Sequence, residues 1–465
     1  MPTAQYDLLV IGAGPGGYVA AIRAAQLGLR VGVIERKNVG GVCLNEGCIP
    51  SKALIRNAEV LSLFKRGAEF GISFDNLKAD FGVAVDRSQK AVRRLTKGVE
   101  FLFKKNKVDL IKGTGKLLGA GHVSVKESNG QEKDLKANQI ILATGTRVRP
   151  LPGVEIDRRD IVTSDEALLM KKLPQSLLII GGGATGIEFA YVFSVYGVRV
   201  TLVEITPFLL PNEDREVSEH LRGALEKLGV RVLTETRVEN VKKIGQALGV
   251  SLTHGKKAET LEVEKILVAA GRQANSEGLG LEEGGVKVET GYIKTDSDLQ
   301  TTSSGIFAIG DVAGKALLAH SAMAEGVFVV EKIAGKKPTQ INYQNVPSCV
   351  YCQPQVASVG LTEEEAKKAG RKIRIGKFPF KANGKALALG ETEGFVKIIA
   401  DAKYGEILGV HMIGSEVTEL IGEAVLARMV EATSFDMKTS IHPHPTLSEA
   451  VMEAGGAVYN EAIHI

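Results

Sequence analysis

Two stretches of this chain align without a gap. One is 12-GAGPGGYVAAIRAAQLGLRVGVIE-35 and the other is 181-GGGATGIEFAYVFSVYGVRVTLVE-204. Each runs G-x-G-x-x-G, a helical stretch, Gly-x-Arg-Val, a short apolar run and a glutamate. The offset is 169 residues from Gly12 to Gly181 and again from Glu35 to Glu204. Each glycine set follows an apolar run, 8-LLVI-11 or 177-LLII-180, so strand, tight turn, helix and strand are predicted twice in that order. A lone glycine pattern constrains little. Two copies in this full context predict an α/β chain with two Rossmann-like dinucleotide-binding domains.

The chemistry of the pattern is specific. Gly12 and Gly181 allow the tight turn, Gly14 and Gly183 let the backbone approach a pyrophosphate, and Gly17 and Gly186 let helix and strand pack closely. The helix start then offers unpaired N–H groups and the positive end of its dipole to phosphates. Glu35 and Glu204, closing the second strand of each copy, suit ribose hydroxyls. A 2′-phosphate would be repelled by Glu204, so the second site favours NAD over NADP.

The 465 residues suffice for about three domains. With 58 basic and 54 acidic residues the net charge is +4, which supports neither a nucleic-acid partner nor an anionic membrane. The basic stretch 87-RSQKAVRRLTKGVEFLFKKNK-107 has apolar residues at helical spacing and reads as a solvated helix face. The segment 6-YDLLVIGAGPGGYVA-20 reads as a strand entering a turn rather than a signal peptide, and no apolar run has transmembrane length. The expectation is a cytoplasmic protein without membrane insertion.

Further strands end in 139-QIILATGTRVRPLPG-153, 265-KILVAAGRQAN-275 and 301-TTSSGIFAIGD-311; the first two read as crossings between domains. From about Val346 the pattern changes to strands at 354-PQVASVG-360, 395-FVKIIA-400 and 406-EILGVHMIG-414, then the helical 416-EVTELIGEAVLARMVEA-432. This part reads as a separate α+β domain.

Four cysteines in so long a chain are no secreted disulfide scaffold. Two of them stand in 40-GGVCLNEGCIPSK-52, just after the first dinucleotide motif. In a regular helix five residues rise about 7.5 Å, more than the usual disulfide Cα separation of about 4.4–6.8 Å. A Cys43–Cys48 bridge therefore needs a distorted turn, for which Gly47 and Pro50 give the means. Pro50 suits a first helical turn, which puts Cys48 near a helix start, where a thiolate is favoured. A zinc site would need Cys349 and Cys352, about 300 residues on, with nothing to bring them together; that C-x-x-C reads as incidental, with a second redox pair as its alternative.

A redox dithiol needs an acid–base group for its substrate's proton. Among eight histidines His444 stands out, in 441-IHPHPTLSEAV-451. Pro443 and Pro445 are expected to hold its backbone extended, and Glu449 lies close enough in sequence to orient the imidazole and raise its basicity.

With these residues assembled, the chain resembles the pyridine nucleotide-disulfide oxidoreductases, most closely the dihydrolipoamide dehydrogenases among them. The likeness covers nearly the whole length: both glycine motifs, G-G-x-C-L-N-x-G-C-I-P-S-K, A-T-G, I-F-A-I-G-D and H-P-H-P-T-L-S-E. The related glutathione reductases usually carry H-P-T-S-S-E-E, and mercuric reductases a late cysteine pair that 452-MEAGGAVYNEAIHI-465 lacks. Two blocks depart from the usual pattern, 349-CVYCQPQVASVG-360 and Met323–Ala324 in 320-HSAMAEG-326.

The resemblance implies oxidation of protein-bound dihydrolipoamide to lipoamide with reduction of NAD, through FAD and a redox-active Cys43–Cys48 disulfide. His444 would be the base, oriented by Glu449, and Lys52 and Glu188 an ion pair beside the flavin. FAD would be bound by Gly12, Gly14, Gly17, Glu35, Lys52, Gly145, Asp311 and Ala319, and NAD by Gly181, Gly183, Gly186, Glu204 and Gly271. The implied domains are an FAD domain in two parts (1–148 and 276–345), an NAD domain (149–275) and a dimerisation domain (346–465). The implied partners are a second copy in a homodimer, and lipoyl domains of 2-oxo acid dehydrogenase complexes or the glycine-cleavage carrier protein. The alternatives are NADH-dependent reduction of another disulfide, or a non-catalytic flavoprotein docking subunit.

Overall fold

A computed structural model of the chain describes residues 5–255 and 257–465. It divides into two compact units, each assembled from three segments. The first comprises Met1–Ala53, Val85–Arg149 and Gly271–Tyr343; the second comprises Leu54–Ala84, Pro150–Ala270 and Gln344–Ile465.

The first unit is built on one sheet. Strands Ile306–Ala308, Glu132–Leu142, Tyr6–Ile11, Val31–Glu35 and Asp109–Lys112 run parallel in that spatial order. Leu8, Leu9 and Val10 are wholly buried, as befits a central strand covered on both faces. The first half of Glu132–Leu142 turns instead to an antiparallel ribbon, pairing with His122–Lys126, which pairs with Thr114–Gly119. The basic stretch forms most of the helix Phe81–Lys105, which buries Val85, Val92, Val99 and Phe103 and leaves its cations outside.

The second unit holds two main sheets. Arg231–Leu233, Arg199–Val203, Ser176–Ile180, Lys265–Val268 and Ile161–Val162 form a parallel sheet, the second dinucleotide-type fold. Its helix Ala184–Val195 is apolar almost all round and is buried accordingly. The other sheet is antiparallel, in the order Ser348–Val350, Gln355–Gly360, Ile407–Gly414, Phe395–Asp401 and Ile373–Pro379. Helices Val417–Met429, Ser434–Thr439 and Glu449–Ala457 share its core, in which Val396, Val410, Met412 and Ala450 are wholly buried.

Close approach fixes the last of these helices. A Cβ at Gly376, in strand Ile373–Pro379, would stand 2.0 Å from the Ala454 carbonyl oxygen and 2.6 Å from the Val458 nitrogen. Both atoms are backbone, so nothing flexible can yield. Gly376→Ala is expected to destabilise the chain by about 3 kcal/mol, the upper part of the overpacking range. Denaturant unfolding at fixed pH checks this.

Candidate active site

Both glycine turns have the room a dinucleotide requires. At the first, Gly12 has φ +107, and a Cβ there would meet the Ala143 carbonyl oxygen at 2.3 Å. A Cβ on Gly17 would lie 1.9 Å from the Gly12 oxygen, whereas one on Gly14 would find nothing nearer than 4.0 Å. Crowding thus forbids side chains where helix meets turn, while the backbone at Gly14 faces open space. Helix Pro15–Gln26 starts there with Pro15 in its first turn. Glu35 accepts hydrogen bonds from the Ala13 N–H (2.8 Å) and the Lys37 N–H (2.7 Å), and a cleft lined by Thr96, Glu100, Leu110 and Lys112 opens beside it.

The second turn repeats this atom for atom in its essentials. Gly181 has φ +116, a Cβ on Gly186 would lie 1.9 Å from the Gly181 oxygen, and Gly183 has nothing within 4 Å of a Cβ. Buried Glu204 accepts from the Gly182 N–H at 2.7 Å and from Thr206, by its N–H at 2.8 Å and its hydroxyl at 2.9 Å. These donors hold the carboxylate at the turn, where a ribose would present its hydroxyls. The residues fit FAD or NAD in both folds.

The cysteine segment contains the irregular turn the spacing demands. Gly40, in the left-handed region (φ 92), precedes the short helix Gly41–Asn45, which ends at Glu46. A new helix, Cys48–Lys65, begins at Cys48 itself, with Pro50 in its first turn. None of the four cysteines is disulfide-bonded in this structure. The Cys43 and Cys48 thiols are hydrogen-bonded to each other, and that bond, with burial, pushes the Cys43 thiol up, against a downward pull from Lys52. The two sulfurs therefore resist ionising together. Lys52 lies one helical turn beyond Cys48 and supplies the opposing cation.

Asp311 begins its turn beside the crossings 143–149 and 271–275. It accepts from the Thr146 hydroxyl at 2.6 Å, and Arg272 stands 3.9 Å away. Gly145 (φ +66) accepts from the Asn275 N–H at 2.9 Å, and Gly271 (φ +93) accepts from the Arg149 N–H at 3.1 Å. Ala319 opens the helix Ala319–Ile333. Sequence reasoning missed Glu325 on that helix. It is wholly buried, accepts from the Gly310 N–H at 2.5 Å and from Tyr343 at 2.9 Å, and so fixes the turn that carries Asp311. Burial pushes its carboxyl above the ordinary range. An acid followed by glycine in 320-HSAMAEG-326 was the available signal.

In the second unit His444 Nδ1 and Glu449 Oε1 lie 2.8 Å apart, and the other Glu449 oxygen accepts from the Thr446 N–H at 2.8 Å. Burial pushes the Glu449 carboxyl up, but the Thr446 N–H and the His444 ring outweigh it and hold the group below the usual carboxylate range. The His444 side chain is 78% exposed, so Nε2 is open to a reactant. The expected extended run is not found: the chain bends at His444 and Pro445, whose peptide bond is cis, as is that of Gln353–Pro354. A second pair, His442 with Glu423 at 2.8 Å, was not anticipated. Glu188 is buried on Ala184–Val195 and accepts from the Tyr351 N–H at 3.1 Å. Cys352 is wholly buried, with its thiol donating to the Pro354 oxygen, and among the described residues no group of three or more His, Cys, Asp or Glu could hold a metal ion.

Two dinucleotide turns, a paired dithiol at a helix start and a carboxylate-held histidine define a nucleotide-dependent thiol–disulfide enzyme. A family model described as pyridine nucleotide-disulphide oxidoreductase matches residues 6–326, and the dimerisation domain of that family matches residues 346–455. The chain belongs to the pyridine nucleotide-disulphide oxidoreductases, and its cofactors are FAD and NAD. A Bacillus subtilis protein named dihydrolipoyl dehydrogenase is 46% identical over 99% of this chain and 99% of its own length. One of the same name from Rhizobium etli is 47% identical over 98% of this chain and 99% of its own. Among solved structures, LpdA from Mycobacterium tuberculosis superposes with TM-score 0.91 at 27% identity, covering 96% of this chain and 98% of that one. The HOCl-induced flavoprotein disulfide reductase RclA from Escherichia coli gives TM-score 0.86 at 26% identity, covering 98% and 100%.

The glycines separate packing from ligand binding. Gly186→Ala is expected to cost several kcal/mol or abolish folding, because its Cβ overlaps backbone. Gly183→Ala should leave the melting temperature within about 2 °C of wild type yet weaken NAD binding about tenfold or more, since its methyl enters the space beside the turn. Thermal unfolding and calorimetric titration with NAD check both.

Proposed function

We propose that the chain oxidises protein-bound dihydrolipoamide to lipoamide with reduction of NAD to NADH, using a redox-active Cys43–Cys48 disulfide and FAD. The observation that carries this reading is the contact of the two thiols where a helix begins, directly after the first dinucleotide fold. Gly12, Gly14, Gly17, Glu35, Lys52, Gly145, Asp311 and Ala319 are the proposed FAD residues, and Gly181, Gly183, Gly186, Glu204 and Gly271 the proposed NAD residues. When bound, FAD supplies the two-electron chemistry that links a dithiol to a nicotinamide.

The chain's own residues handle sulfur and protons. A substrate thiolate attacks Cys43 Sγ of the oxidised pair, the Cys43–Cys48 bond breaks, and Cys48 leaves as a thiolate at the helix start. The second substrate sulfur then attacks the mixed disulfide at the substrate's own sulfur, which closes lipoamide and frees Cys43. His444 takes the substrate proton on Nε2, while Glu449 holds Nδ1 and steadies the imidazolium. Lys52 and Glu188 are proposed as an ion pair beside the flavin.

In the proposed homodimer His444 of one copy serves the cysteines of the other. The matched dimerisation domain and the exposure of His444 support this. The proposed domain limits are 1–148 with 276–345 for FAD, 149–275 for NAD and 346–465 for dimerisation. The proposed partners are lipoyl domains of 2-oxo acid dehydrogenase complexes or the glycine-cleavage carrier protein, and the proposed compartment is the cytoplasm. Among the described residues no helix is long and apolar enough to cross a membrane.

NADH oxidation measured with lipoamide, beside glutathione disulfide at equal concentration, tests the substrate. Turnover with lipoamide alone is expected; turnover with glutathione disulfide alone, or with neither despite bound FAD, defeats the reading. The pH dependence tests the base. Glu449, its carboxyl held low in the fold, keeps its charge at every pH above its ordinary range, and the stability this carboxylate contributes is lost as pH falls through the lowered value. Glu449→Gln should lower kcat/KM at every pH where that carboxylate is ionised, because His444 loses the group that holds its Nδ1.

A further inference from the structure

A second charged cluster lies in the second unit, at the end of the segment that begins with Glu204. Lys397, on strand Phe395–Asp401, has a side chain only 1% exposed. Its ammonium meets Asp214 at 3.0 and 3.2 Å, Glu216 at 2.8 Å and Glu363 at 2.7 Å. Asp214 caps the helix Arg215–Lys227 through the Glu216 N–H (3.1 Å), and its other oxygen accepts from the Glu363 N–H (3.3 Å) at the start of helix Glu363–Lys368. Two helix starts thus meet on one buried cation. Outside them Lys377 binds Glu216 and Lys367 binds Glu363, so the cluster is balanced in charge.

What ends at Asp214 is the wall of the second glycine turn. Thr206 binds Glu204, the Leu210 N–H donates to the Gly182 oxygen at 2.9 Å, and the Leu209 side chain stands 2.7 Å from where a Gly182 Cβ would lie. The segment 204–214 is therefore held at its start by Glu204, in its middle by Gly182 and at its end by Lys397. The third anchor is not on the parallel sheet that carries the turn. It stands on the antiparallel sheet of the dimerisation domain. Replacing a buried ion cluster by apolar groups often leaves stability unchanged or higher, so stability gives no reason for three acids around one lysine; a fixed position does.

We propose that Lys397 is a positioning residue for the NAD site: it fixes the segment 204–214, and with it Glu204, from the dimerisation domain. The inference rests on the reading that the second glycine motif holds NAD. It is tested on the full-length, FAD-loaded protein carrying Lys397→Met. The dissociation constant for NAD on the oxidised protein, by calorimetry, and the KM for NAD should both rise about tenfold, as expected for a displaced binding group. The KM for dihydrolipoamide and the FAD content should stay within about twofold of wild type, a split that general loosening of the fold would not give. Unchanged NAD affinity in the folded variant, or equal rises in both KM values, overturns the proposal. Where Lys397→Met does not fold, Glu363→Gln removes one rim partner and should give the same selective rise, at about threefold; unchanged NAD affinity there overturns it as well. The calorimetric arm uses no dithiol, so failure of the dihydrolipoamide reading and failure of this inference give different results.

Discussion

Each dinucleotide fold depends on the approach of a helix to the turn that precedes it. The distances of 1.9 Å from an imagined Cβ on Gly17 or Gly186 to a carbonyl oxygen of the same turn mean that no side chain, not even a methyl group, can stand there. Only with helix and turn this close do the N–H groups at the helix start point into the space beside Gly14 and Gly183. The glutamate at the end of the next strand is then drawn to the turn's own N–H, at Ala13 in one copy and Gly182 in the other. Strand, turn, helix and carboxylate become one rigid piece, and the sulfur chemistry is placed relative to that piece: Gly40 donates its N–H to the Ala13 oxygen at 2.7 Å, and the cysteine helices follow from there.

The two groups proposed to react sit in contrasting electrostatic settings. The cysteine pair is arranged so that a second negative charge is costly, since each sulfur faces the other and Cys43 is half-buried. The histidine instead faces a carboxylate, kept ionised and held against its Nδ1 with the help of a backbone N–H. A thiolate on one side and an imidazolium on the other is the charge distribution a thiol–disulfide exchange must pass through.

What could be read from the sequence was whatever is local. The glycine motifs, Cys43 with Cys48, and His444 with Glu449 each bring together residues a few positions apart, so their proximity could be expected from the sequence. The elements came out close to their expected places for the same reason, because apolar periodicity is a local signal. The bend at His444 escaped because two prolines restrict torsions without saying which way the chain turns. Glu325, His442 and Lys397 escaped because their partners are fixed by tertiary structure; Asp214 lies 183 residues from Lys397. Nor did composition announce that Leu54–Ala84 would group with the second unit, where Phe81 packs on Phe193 and Tyr196.

The segmented make-up of the first unit has a consequence for how the chain is made. Its sheet is completed by Ile306–Ala308, which pairs with the strand ending at Leu142 and is synthesised some 300 residues after Tyr6–Ile11. At ribosomal speeds of about 5–20 residues per second, that interval is about 15–60 s. The parallel sheet of residues 161–268 emerges whole in the meantime. The fold that begins first is thus finished late, and for much of synthesis its apolar central strands wait beside an open edge. A chain built this way has reason to engage a chaperone early, whatever its final stability.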